Sequence, residues 1–170
     1  VRSVVCSQDA DVRVIDMCTG ISQFAGHLLA GFGAEVVAVE PPGGVDTRHI
    51  GPFVDDVSNP NASLTHWAYN RGKRSVIIDI ETVGGRDQLR KLLRTADVLF
   101  DDAYPGRLDA VGLGRDDLAA LNPQLVHASI TPYGSTGPRS RWKGSDLTAV
   151  AGSGFLHASG DADRPPVRVG

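Results

Sequence analysis

Three cations fall within four residues at Arg71-Gly72-Lys73-Arg74, directly ahead of the apolar, β-branched run Ser75–Ile80. Cations at such a boundary suit phosphate groups, because charge-assisted hydrogen bonds to phosphate are strong and arginine can offer them in pairs. Gly72 would let the backbone approach a flat ring. The competing reading is a solvated basic turn, the commoner fate of a charge run. Asp101 and Asp102 stand together after another short apolar run, where they could act as metal ligands or as an acid/base pair. No third carboxylate or histidine follows at useful spacing, so turn formation is the favoured role. Asp146 follows Lys143-Gly144-Ser145 at the start of a helix. A carboxylate there is stabilised by the positive helix end, and could act chemically or only hold the helix.

Other chemistries lack their signatures. The five histidines, at 27, 49, 66, 127 and 157, form no HxxxH pattern, and no G-x-S-x-G occurs. A metal centre and a serine hydrolase are therefore not indicated. Cys6 and Cys18 fit no zinc or CxxC spacing. They read as reduced thiols of a cytoplasmic protein, with Cys18 a small packing residue near a strand end. The turn Thr19-Gly20-Ile21-Ser22-Gln23 carries one glycine, whereas a pyrophosphate fingerprint needs glycines at G-x-G-x-x-G. That argues against a dinucleotide, although Glu40 stands where a ribose-binding acid would sit.

These residues are positioned by alternating elements. Strands are predicted at 12–17, 35–40, 75–80, 98–100 and 125–130, from short apolar runs. Helices are predicted at 24–32, 82–96, near 107–111 and 115–121, and from Ser145 to about Gly154. Residues 41–63 read as a long Gly/Pro/Asp/Asn-rich loop, of a length usually functional or mobile. The order implies an α/β, Rossmann-like fold: a mostly parallel sheet with helices on both faces. Ligands of such folds sit beyond the carboxyl ends of the strands, which here means the loops near residues 18–23, 41–48, 101–106 and 131–137.

The chain is 41% hydrophobic and 22% charged with a net charge of -3, an ordinary globular balance without the basic excess of a nucleic-acid binder. No stretch is apolar and long enough to span a bilayer, and the first residues lack the charged-then-apolar pattern of a signal peptide. Residues 1–11 read as an N-terminal extension, and Arg164–Gly170 reads as a loop running into a strand.

Seven segments in order resemble one family: the stretch from Asp16 to Glu40, then Glu40-Pro41-Pro42-Gly43-Gly44, Asn70 to Ser75, Ala96 to Gly106, Gly112-Leu113-Gly114, Leu121-Asn122-Pro123, and Tyr133 to Pro138. The chain from 12 to 170 is similar to the N-terminal part of the class III CoA-transferases, a family that includes formyl-CoA transferase, carnitine CoA-transferase and α-methylacyl-CoA racemase. The resemblance implies a large Rossmann-like domain, here truncated. It also implies an interlocked homodimer, coenzyme A as substrate, and no metal. The full-length protein would move CoA from an acyl-CoA to a carboxylic acid through an aspartyl anhydride.

Carried onto this chain, the resemblance implies adenine and phosphate contacts from Arg71, Gly72, Lys73 and Arg74. It implies pantetheine or diphosphate contacts from Gly20, Ile21, Ser22, Asp102 and Ala103, and a further contact from Lys143. Asp146 would be a supporting acid. The nucleophilic aspartate is expected a few residues beyond Gly170, so residues 1–170 alone are expected to be inactive. Asp102-Ala103 replaces the family's common Asn-Phe, Ala110 stands where many members carry Arg, and Ser145 stands where the racemases carry a basic His. Two alternatives remain open: a 2-methylacyl-CoA racemase, which Ser145 disfavours, and a CoA-binding or scaffolding domain without catalysis.

Overall fold

The computed structural model describes residues 12–20, 22–160 and 163–167. Five strands form one sheet: β1 (Arg13–Asp16), β2 (Glu35–Glu40), β3 (Arg74–Ile77), β4 (Val98–Asp101) and β5 (Val126–Ser129). Every pairing is parallel and the order is β3-β2-β1-β4-β5. The expected α/β, Rossmann-like architecture is thus present. Among the described residues six α-helices accompany the strands: α1 (Gln23–Gly31), α2 (Leu64–Asn70), α3 (Val83–Leu93), α4 (Arg107–Ala110), α5 (Arg115–Leu121) and α6 (Asp146–Gly152).

The two sheet faces differ in chemistry. Side chains alternate along a strand, so Ile15, Val37, Val39 and Leu99 share one face. They pack with Leu89 and Leu93 of α3, Leu108 of α4 and Leu118 of α5, forming the apolar core. The other face bears Asp16 and Glu40, both buried, and it is covered by α1. Gly26 makes that approach possible: a Cβ there would overlap the Asp16 carboxylate and press on Lys73 Cε. Sixteen hydrophobic residues are buried among the described residues, so apolar burial drives the fold; the face under α1 adds buried Asp16 and Glu40 to Val14, Val36 and Ala38.

Several boundaries differ from the sequence expectation for identifiable reasons. Helix α2 lies where no element was expected, with the Ser63 hydroxyl accepting from His66 N–H at 3.1 Å as its N-cap. The segment 41–63 is a folded loop with single turns of 3-10 helix at Asp46–His49 and Val54–Asp56. Strand β3 stops early because the Asp79 carbonyl accepts from both N–H and hydroxyl of Thr82, turning the chain into α3. Helix α3 ends at Leu93, where Asn122 donates its amide to the carbonyls of Leu93 and Ala96.

Residues 131–167 form a separate compact unit built on α6 and a 3-10 turn at Phe155–Ala158. Within it Tyr133 meets Trp142 edge to face, and Arg139 lies 5.4 Å over the Trp142 ring. The strand expected near the C-terminus is not formed at 163–167, and residues 168–170 lie outside the described set, as do residues 1–11.

Candidate functional site

In a sheet of this order the chain reverses direction across β1 and β4, and ligands occupy the crevice beyond those carboxyl ends. A cavity of about 410 Å³ lies there. Met17, Val39, Ile78 and Leu108 make its floor apolar, and Ala103 and Tyr104 form one wall. Its polar groups are mostly acidic: Asp79, Glu81, Asp101 and Asp102 line it beside a single cation, Arg107. Arg107 is ion-paired with Glu81, so that charge is already shared. Asp101 is buried and meets His127 Nε2 at 2.5 Å, and it also accepts from Ala103 N–H at 2.9 Å. The pair Asp101-Asp102 is therefore a set of anchors in the loop after β4, in keeping with turn formation.

Asp102 ties that loop to the loop after β1. Its carboxylate accepts from Thr19 N–H at 2.8 Å, Gly20 N–H at 3.2 Å and the Ser22 hydroxyl at 2.5 Å. Gly20, Ser22, Asp102 and Ala103 are thus brought together at the switch point. Ile21 lies outside the described residues.

The basic cluster is dispersed, and none of its four residues lines this crevice. Lys73 turns inward. Its ammonium donates to Asp16 Oδ2 at 2.7 Å, to the Gln23 carbonyl at 2.7 Å and to Asn70 Oδ1 at 3.0 Å, with 1% of the side chain exposed. All three donor positions of the ammonium, expected to contact phosphate, are filled internally. Arg74 points to the amino ends of the strands, where Glu35 pairs with it at 3.0 Å and with Arg13 at 3.4 Å. Gly72 does need its glycine, with φ of 87°, but for the turn into β3. Arg71 lines a different cavity, of about 400 Å³, with Arg48, His66, Trp67 and Asn70.

A buried polar network lies under that second cavity. Gln23 Oε1 accepts from Thr47 at 2.8 Å and Asn70 at 3.0 Å, and its amide donates to the Cys18 carbonyl at 3.0 Å. His66 Nδ1 is 3.0 Å from Thr47 Oγ1 and 3.2 Å from Asn70 Nδ2. Burial first, and then the Arg48 guanidinium, lower the His66 pKa below its usual value. Glu40 receives a bidentate Arg48, at 2.5 and 2.7 Å, and the Ser75 hydroxyl at 2.5 Å. Burial opposes its ionisation, but the Arg48 and Ser75 hydrogen bonds and the Arg48 charge prevail and lower its pKa to about 2. Glu40 is thereby a structural acid, not a ribose ligand. Burial, then the charges of Asp16 and Asp102, push the Cys18 thiol far above its ordinary range, which suits a packing residue and not a nucleophile.

Arg48, Arg107 and Glu81 escaped the sequence reading. Glycines 43 and 44, both at positive φ, are the signal that the chain folds back after β2 and returns Arg48 to Glu40. Lys143 and Asp146 belong to the second unit. There Lys143 is exposed, and Ser145 caps α6 by accepting from Thr148 N–H at 3.3 Å. Among the described residues no cluster of three or more His, Cys, Asp or Glu could hold a metal, and no helix is long and apolar enough to cross a membrane.

Comparison with known proteins gives consistent matches. The sequence pattern of CoA-transferase family III matches residues 10–170. The chain is 42% identical over 154 residues to the succinyl-CoA:(R)-benzylsuccinate CoA-transferase subunit BbsE of Thauera aromatica, covering 90% of this chain and 38% of that protein. It is 40% identical over 163 residues to the succinate–glutarate CoA-transferase of Agrobacterium fabrum, covering 94% and 41%. The crystal structure of a CAIB/BAIF family protein from Brucella suis superposes with a TM-score of 0.85 at 36% identity, covering 94% of this chain and 42% of that one. The chain therefore spans about two fifths of the length of these relatives.

Proposed function

Because this chain belongs to CoA-transferase family III, we propose that the whole protein moves coenzyme A between carboxylic acids and that the switch-point crevice belongs to its CoA cradle. The observation that carries the reading is the crevice itself: an apolar floor with hydrogen-bonding walls, at the place where α/β folds of this order take ligands. Residues 12–170 are the N-terminal part of the large domain in this reading. The protein works as an interlocked homodimer in the cytoplasm. The relatives named above act on succinyl-CoA or succinate, so a succinyl donor with a second dicarboxylic acid is the first pair to examine.

In the proposed reaction an aspartate carboxylate beyond Gly170 attacks the thioester carbonyl. A C–O bond forms, the C–S bond breaks, and CoA departs as thiolate, leaving the acyl group as a mixed anhydride. The thiolate then attacks the aspartyl carbonyl, releasing the donor acid and leaving an aspartyl–CoA thioester; the acceptor carboxylate displaces the thiolate to form a second anhydride, and the thiolate attacks the acceptor's carbonyl, giving the new acyl-CoA and freeing the aspartate. No observation favours the racemase alternative, since Ser145 is engaged as the cap of α6.

The test is exchange of CoA between succinyl-CoA and a labelled acid by the whole protein, with hydroxylamine added to trap the anhydride. Filling the crevice with Ala103→Trp should raise KM for the CoA substrate at least ~10-fold, through lost contact area of the kind that ligand pockets supply. Absence of exchange across a panel of mono- and dicarboxylic acids overturns the transferase reading. An unchanged KM in the Ala103 variant removes the crevice from the cradle.

A further inference from the structure

We propose that Asp102 is a built-in anion: its carboxylate fills the phosphate seat of the β1–α1 turn and closes that seat to the diphosphate of any nucleotide ligand. In dinucleotide-binding folds this turn presents backbone N–H groups and a helix N-terminus to a pyrophosphate. Here two of those N–H groups, on Thr19 and Gly20, are already satisfied. Asp102 Oδ2 accepts from Thr19 N–H, Gly20 N–H and the Ser22 hydroxyl, and the Thr19 hydroxyl reaches both carboxylate oxygens at 3.2 and 3.3 Å.

The helix end reports the same substitution. Ser22 is the N-cap residue of α1, yet its side chain caps no N–H of the helix; it donates to Asp102 instead. The first turn of α1 contains no acid of its own. The negative charge favoured at a helix N-terminus is therefore delivered from the loop after β4, 80 residues along the chain. The crevice wall makes an independent case. Asp79, Glu81 and Asp101 stand with Asp102 around the cavity, and Arg107 is paired with Glu81. A diphosphate entering here would find its donors taken and meet like charge.

The consequence for coenzyme A rests on the crevice reading given above. An uncharged part of the molecule, the pantetheine arm or the adenosine, lies in the crevice, and the diphosphate lies outside it. Asp102 is then a specificity-determining residue that sets the register of the ligand. The occupied seat itself does not depend on that reading.

Chemical rescue of the whole protein tests the seat. Asp102→Ala should lower the thermal midpoint. Sodium formate and pyrophosphate should raise it again relative to sodium chloride at equal ionic strength, while native protein does not respond. Pyrophosphate affinity should rise about tenfold or more over native, the equivalent of one regained charge-assisted hydrogen bond. Asp102→Ser, whose shorter side chain also vacates the seat, carries the same comparison should the alanine variant not fold. Equal responses of native and variant proteins to these anions overturn the proposal, whether or not CoA is transferred. Anion rescue without CoA binding by native protein keeps the seat and rejects the transferase reading instead.

Discussion

Lys73→Ala should destabilise the protein by about 3–5 kcal/mol, since removing one partner leaves the other charge buried and unpaired. The abandoned charge is Asp16, 2% exposed and seated beneath α1. Lys73 is also the donor that joins Asp16, Gln23 and Asn70, so its loss unties the end of β1 from α1 and α2. Denaturant midpoints followed by circular dichroism provide the measurement. Asp16→Asn combined with Lys73→Met should recover much of the loss, because no unpaired charge then remains. Gly26→Ala should weaken the same pair from above, by about 1–3 kcal/mol for overpacking. A Lys73→Ala variant as stable as native, with CoA affinity lost, would return this lysine to the ligand.

Acid should remove a second contribution, through Glu40. Its carboxyl pKa is lowered to about 2 in the folded protein from an ordinary value of 4.5. A depressed folded pKa means that the unfolded chain takes up the proton first as pH falls. The stabilisation is therefore complete above about pH 4.5 and disappears as pH drops toward about 2, amounting to about 3 kcal/mol at neutral pH. Glu40→Gln should flatten stability against pH across that window. It should also lower stability at pH 7, where the buried side of Arg48 loses its bidentate partner. Retention of the native pH slope in the Glu40 variant would assign the acid sensitivity to another group.

The strands were legible because their residues are apolar in unbroken runs: Val36 to Val39 can be buried on both faces only in a covered parallel sheet. Helix α3 was legible from Leu89, Leu92 and Leu93, although its ends were set by Thr82 and by the distant Asn122. Helix α2 was not. Its inward residue is His66, so the stripe that marks an amphipathic helix is polar where it faces the protein. The polar partners on the second face were hidden too: Asp16 and Glu40 end strands whose earlier residues on that face, Val14, Val36 and Ala38, are apolar.

The candidate site divides along the same line. The order of elements pointed to the loops beyond the carboxyl ends of the strands as the candidate ligand site, and the fold brings Gly20, Ser22, Asp102 and Ala103 together in two of them. What each charge does was not legible. Arg71, Lys73 and Arg74 read as one cluster, yet one lines a cavity, one is buried and one pairs at the opposite end of the sheet. Asp102 read as a turn former and, by resemblance, as a pantetheine or diphosphate contact, and its carboxylate is held by the N–H groups of Thr19 and Gly20.

The amino-acid sequence by itself therefore determined the family and the alternating α/β order, because these depend on local apolar runs and on motif order. Only the tertiary structure decided which charged residues remain available. That outcome depends on partners far along the chain, 57 residues between Asp16 and Lys73 and 83 between Thr19 and Asp102, and a charge is free or spent according to the partner the fold brings to it.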